Sequence, residues 1–159
     1  MTESNALAEF PIKRVLIPTD GSEGAARAAH AAIEIAKKFG AELTVLHVIA
    51  VPPTGVAKAR LSPGYDAELQ EYFESARKKG DLIVDEVIRL AEARDVKSTR
   101  LVREYAFSVV ETILEEATKS NIDLIIMGTR GLTGFKELLI GSVSSGVMHH
   151  APCSVLIVR

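Results

Sequence analysis

The chain has 159 residues, a formal net charge of −2, 47% apolar and 25% charged residues. That fits one globular domain with a full core and speaks against a broadly basic nucleic-acid face. A single cysteine, Cys153, excludes an internal disulfide and a cysteine-rich metal site.

Met1–Phe10 holds no apolar signal segment, and no window reaches membrane-spanning length, so the expected location is cytoplasmic. Residues 1–11 read as a loose arm and 12–159 as one domain. Val15-Leu16-Ile17 is a short apolar run, as in a strand covered on both faces. It stops at Pro18-Thr19-Asp20-Gly21-Ser22. Residues 23–39 follow as a helix with Ala25, Ala26, Ala29, Ile33, Ala36 and Phe39 on its apolar face and Gly40 as its stop. Leu43–Ile49 is a second strand, and residues 50–65, with Pro52, Pro53, Gly55, Pro63 and Gly64, are a long loop.

From Asp66 to Asp95 the apolar residues keep helical spacing, through Leu69, Tyr72, Phe73, Ala76, Ile83, Val87 and Leu90. Gly80 interrupts this pattern and is the place for a bend, while Asp85 and Arg89 stand at i,i+4 spacing as a pair. Thr99–Val102 is a third strand, Ser108–Ser120 an amphipathic helix capped by Ser108, and Leu124–Met127 a fourth strand. Ser142–His149 is a short helix and Ser154–Val158 a fifth strand. Single strands alternating with helices predict a parallel α/β sheet with helices on both faces.

The most telling segment is Gly128-Thr129-Arg130-Gly131, nine further residues, then Gly141-Ser142. Glycines at the end of a buried strand let backbone N–H groups approach an anion, and a following helix start attracts phosphate. The glycines alone fit either a phosphate cradle or plain turns. Neither a Walker A P-loop nor a G-x-G-x-x-G fingerprint is present. Ligands of open parallel sheets bind beyond the strands' carboxyl ends where strand order reverses. If strands one and four are neighbours, Pro18-Thr19-Asp20 and the glycine loop share one crevice. Asp20 then accepts hydrogen bonds from a ribose or an adenine amine, or simply caps the first helix or forms the turn into it. Val48 walls an apolar base pocket.

The Gly128–Ser142 pattern matches the G-2x-G-9x-G-(S/T) motif of ATP-binding universal stress proteins. Val15-Leu-Ile-Pro-Thr-Asp-Gly-Ser22, Leu46-His-Val48 and the tail from Gly141 to Val158 resemble that family as well. The resemblance spans nearly the whole chain. It implies a Rossmann-like open sheet of order 3-2-1-4-5 and an adenine nucleotide (ATP, ADP or AMP) in the crevice. Asp20 would lie near ribose and adenine, with Val48 and Met127 around the base. Gly128, Gly131, Gly141, Ser142 and Ser144 would lie along the phosphates. Val143 is counted with that site, Arg130 meets phosphate oxygens or is solvated loop charge, and Mg²⁺ bridging the phosphates is compatible with it. The resemblance also implies a homodimer through Val155, Leu156, Ile157 and Val158. Two departures stand out. Tyr105-Ala106-Phe107 replaces the glycine, small residue and proline of many relatives. Gly146 lies inside the last helix and is expected to weaken it by roughly 1 kcal/mol relative to alanine.

Other residues carry plainer readings. His47 reads as a structural histidine, His149 and His150 as helix-end residues, and Cys153 as an inert thiol. Ser142 and Ser144 serve the phosphates or cap the helix. Lys136 reads as loop charge in preference to a phosphate contact, and Leu138-Leu139-Ile140 as a segment packed on the domain or a partner subunit. Three functions fit: a nucleotide-dependent regulatory dimer in stress response, a slow Mg-dependent ATPase, and a nucleotide-free structural dimer. Gly131→Val separates the first two from the third, because only a nucleotide site should lose binding.

Overall fold

The computed structural model describes residues 11–52, 65–129 and 140–159. Most of the N-terminal arm and of the 50–65 loop lies outside that range, as do Arg130, Gly131, Lys136, Glu137, Leu138 and Leu139. The elements in chain order are β1 (Arg14–Pro18), α1 (Glu23–Phe39), β2 (Glu42–Ala50), α2 (Tyr65–Glu92) and β3 (Ser98–Ala106). They continue with α3 (Val109–Lys119), β4 (Leu124–Gly128), α4 (Ser142–His150) and β5 (Ser154–Val158). All neighbouring strands pair in parallel, in the order β3-β2-β1-β4-β5.

Val15, Leu16 and Ile17 are each 0% exposed because β1 is central and covered on both faces. Val15 and Ile17 join the core under α1 and α2, and Leu16 joins the core under α3 and α4. Among the described residues no helix is long and apolar enough to cross a membrane.

Local signals set several helix ends. Ser22 caps α1 by accepting from the Ala25 N–H at 3.2 Å, and Ser108 caps α3 by accepting from the Glu111 N–H at 3.2 Å. The buried stripe of α1 is Ala25, Ala28, Ala29, Ala32, Ile33 and Ala36. Ala26 and Phe39, expected on that face, are exposed. In an alanine-rich helix apolar residues occur all round, and Ala26 sits about 100° from Ala25.

Helix α2 ends at Glu92 and runs unbroken through Gly80, where a bend was expected. Asp85 does not use the expected pairing with Arg89; it accepts from Arg100 of β3 at 3.0 Å. Strand β3 is longer than the apolar run Thr99–Val102 suggests. Its charged residues are held by helices on both faces, Arg100 by Asp81 and Asp85 of α2, Arg103 by Glu116 of α3. Gly146 is more than a weak helix former. A Cβ there would stand 2.9 Å from Val110 Cγ2, so the glycine lets α4 lie close on α3.

Candidate functional site

Strands β1 and β4 are neighbours at the centre of the sheet, where chain order reverses. Helix α1 leaves β1 toward one face, and α4, following β4, packs on the other. Their carboxyl ends therefore open a crevice at the switch point, and the sequence-predicted Pro18-Thr19-Asp20, Gly128-Thr129 and Gly141–Ser144 lie at those ends.

The first wall is a hydrogen-bonded turn. Thr19 is 7% exposed. Its N–H donates to the Leu46 carbonyl at 2.8 Å, its Oγ1 accepts from the Gly21 N–H at 3.4 Å, and its carbonyl accepts from His47 Nδ1 at 2.8 Å. Asp20 Oδ1 accepts from the Ser22 N–H at 3.0 Å, which is the turn-forming role. The cap of α1 is Ser22, not Asp20.

The floor comes from β2. Its register with β1 stops at Pro18↔Leu46, yet β2 continues to Ala50. Leu46 turns its carbonyl toward β1, and the alternation of a strand sends the N–H and C=O of Val48 to the same side. β1 has already ended there. The Val48 side chain is half-buried against the α3/α4 core. Met127, expected beside the base, is 5% exposed and belongs to that core.

The second wall is the end of β4 and the start of α4. A Cβ on Gly128 would stand 2.7 Å from both the backbone carbon and oxygen of Gly24 in the first turn of α1. Glycine is required there by backbone-to-backbone contact, a reason the phosphate reading did not supply. Ser144 is 4% exposed, and its hydroxyl donates to the Gly128 carbonyl at 2.8 Å. The Gly141 N–H donates to the Thr129 carbonyl at 2.6 Å. Together they fasten the first turn of α4 to the end of β4.

The N-cap of α4 is Gly141, and no side chain of the described residues bonds to that end. The expected caps, Ser142 and Ser144, do not act as such: Ser142 is exposed and Ser144 is the tie to β4. A helix start without a side-chain cap presents its first N–H groups, here from Ser142 and Val143, with the positive end of the helix dipole. Arg130 and Gly131 lie outside the described residues.

Residues expected elsewhere take structural places. His149 and His150 bond through Nδ1 to the Ser145 and Gly146 carbonyls at 2.7 and 2.9 Å, the helix-end role expected of them. Cys153 is half-buried, and burial pushes its thiol up, away from reactivity. Val155, Leu156, Ile157 and Val158 form an edge strand that, among the described residues, has β4 as its one neighbour in the sheet. Sequence reasoning missed the contacts of Gly24 with Gly128 and of His47 with Gly80. The small residues carried a weak hint, but their partners are distant in the chain.

The family model described as the universal stress protein family matches residues 11–159. Universal stress protein MJ0531 of Methanocaldococcus jannaschii is 37% identical over 147 residues, covering 92% of this chain and 82% of that protein. UspA from Lactobacillus plantarum superposes with a TM-score of 0.65 at 27% identity, over 93% of this chain and 98% of that one. A universal stress protein from Archaeoglobus fulgidus, solved in complex with dAMP, superposes with a TM-score of 0.61 at 16% identity, over 93% and 98% of the two chains. The sequence match over almost the full length and the shared strand order lead to one conclusion: the chain belongs to the universal stress protein family.

Proposed function

We propose that this protein binds an adenine nucleotide, ATP foremost, in the switch-point crevice and acts as a nucleotide-dependent regulatory dimer. The observation that carries the reading is the α4 N-terminus, without a side-chain cap among the described residues and tied by Ser144 to β4, opposite the Asp20 turn. The N–H groups of Ser142 and Val143 receive phosphate oxygens. Val48 offers a donor and an acceptor to a base edge and an apolar side chain to its face. Asp20 accepts from the ribose hydroxyls. Ser144 acts behind the phosphates, because its hydroxyl hydrogen is directed to the Gly128 carbonyl. Met127 supports the pocket from the core.

Two neighbours of the fold were solved with adenine nucleotides. One is the Archaeoglobus protein with dAMP, and another is a universal stress protein in complex with cAMP, at 24% identity and a TM-score of 0.63. At these identities they speak for the fold of this chain. The case for its ligand rests on the crevice's own chemistry and on the motif. No three His, Cys, Asp or Glu side chains of the described residues come together as a metal site. A magnesium ion accompanying ATP would bridge the phosphates. Dimerisation through β5 follows from its bare apolar edge.

The test is a calorimetric titration of nucleotide-stripped protein with MgATP, with MgGTP as control. Saturable binding of ATP, weak binding of GTP and loss of ATP binding in Gly131→Val are expected. Absence of heat over a range of temperatures would overturn the reading and leave the glycines structural.

A further inference from the structure

The Asp20 turn is held from behind by α2 at two points one helical turn apart. In an uninterrupted parallel ladder, the bond after Thr19 N–H to Leu46 C=O runs from the Val48 N–H to the Thr19 carbonyl. That bond is not formed. The carbonyl accepts instead from His47 Nδ1, at 2.8 Å. A carbonyl only accepts, so Nδ1 carries hydrogen whatever the charge of the ring.

The far edge of the same ring rests on Gly80, buried in the middle of α2. A Cβ at Gly80 would stand 2.6 Å from the ring's Cδ2 and 3.2 Å from Nε2. One turn on, Ile83 touches Gly21, where a Cβ would meet Ile83 Cγ1 and Cδ1 at 2.9 Å and where φ is +77°. A glycine inside a long helix weakens it; here the contact explains the residue, because only glycine leaves room for the imidazole.

We propose that His47, seated on Gly80 and bonded to the Thr19 carbonyl, is a positioning residue. It fixes the Asp20 turn and keeps the backbone edge of Val48 open to the ligand. The placement of α2 thereby sets nucleotide affinity. The ligand part of this inference rests on the nucleotide reading above; the positioning of the turn rests on the contacts alone.

The experiment measures MgATP affinity, thermal stability and amide hydrogen exchange at Thr19 and Ser22 in the full chain and three variants. His47→Leu keeps bulk and loses the donor. His47→Asn keeps a donor at the Nδ1 position. Gly80→Ala displaces the ring. In His47→Leu and Gly80→Ala, ATP affinity is expected to fall about tenfold and exchange at the two amides to quicken by a similar factor. His47→Asn is expected to stay within about threefold of the parent, with the fold intact throughout. If His47→Leu and Gly80→Ala bind ATP as the parent does, the positioning role is overturned and the nucleotide reading stands. If the parent binds no ATP, the nucleotide reading falls, and amide exchange decides the rest. Faster exchange in the two variants upholds the positioning of the turn, and unchanged exchange overturns it.

Discussion

The two edges of the sheet are built on opposite plans. At one edge, β3 is nine residues long and carries Arg100, Arg103 and Glu104. Both arginines are ion-paired to helices, Arg100 to α2 and Arg103 to α3. Its register with β2 slips between Val48↔Arg103 and Ala50↔Ala106, and Tyr105 in the slipped segment has φ +58°. Charges and a bulge are the devices that keep an edge strand from pairing with another chain. At the other edge, β5 reads Ser-Val-Leu-Ile-Val, keeps unbroken register with β4 and leaves Leu156 39% exposed. An uncharged, regular, apolar edge invites a strand. The contrast teaches that one edge is closed by ion pairs and a bulge, while the other is regular and apolar, as the proposed dimer requires.

The sharpest way to break that contrast is a charge on the open edge. Leu156→Asp, whose parent side chain is half in solvent, is expected to leave the fold intact. It should weaken the dimer on the order of a hundredfold, because pairing would bury an unpaired carboxylate. Thr99→Asp on the exposed part of β3 is the control and leaves the mass unchanged. Sedimentation equilibrium reads both. Equal masses for parent and Leu156→Asp at every concentration would remove the distinction between the edges.

A smaller effect is expected from the pairing that closes β3 onto α3. Arg103 donates to Glu116 Oε2 at 2.8 Å, Ser120 donates to Oε1 at 2.9 Å, and Glu116 is 6% exposed. Burial pushes the Glu116 carboxyl up, but the Arg103 guanidinium and the Ser120 hydroxyl outweigh it and hold it below its ordinary value of 4.5. A carboxyl with a depressed folded value contributes stability above the ordinary value and loses it as pH falls through the folded one. Glu116→Gln should therefore cost about 1–2 kcal/mol at neutral pH. Urea unfolding curves of parent and variant should converge in acid, below the ordinary carboxylate range. A constant gap across that range would show that the ion pair is not what fastens the strand.

The smallest effect concerns the bulge. Tyr105 stacks on Phe73 with ring centroids 4.0 Å apart, which offsets its left-handed backbone. Tyr105→Gly removes about 1 kcal/mol of backbone strain and about as much ring contact, so the net change in stability stays within about 1 kcal/mol. Tyr105→Val has neither advantage and should be the less stable by urea denaturation. If valine equals glycine, the backbone there is not strained.

Legibility in the sequence follows the range of the forces. Ser108 and Gly40 mark helix ends within a few residues of themselves and act as read, whereas the cap of α1 fell to Ser22 and not to Asp20. The continuous apolar run Val15–Ile17 announced a strand buried on both faces. The far half of β3 was not legible, since Arg103 and Glu104 look like solvent residues until Glu116 and Arg77 stand opposite them. In the candidate site, Asp20, Gly128 and Ser142 were legible as a pattern. Yet Ser144 was read as a phosphate or capping residue and is the tie between α4 and β4.

By itself the amino-acid order determined the alternation of strands and helices and the parallel class. Periodicity, caps and breakers are local and survive in any tertiary setting. Only the folded chain decided that Gly128 meets Gly24, that Gly80 makes room for His47, and that β3 is closed while β5 stays open. Those outcomes depend on atoms brought together from distant stretches, where a single Cβ or one opposing charge selects what fits.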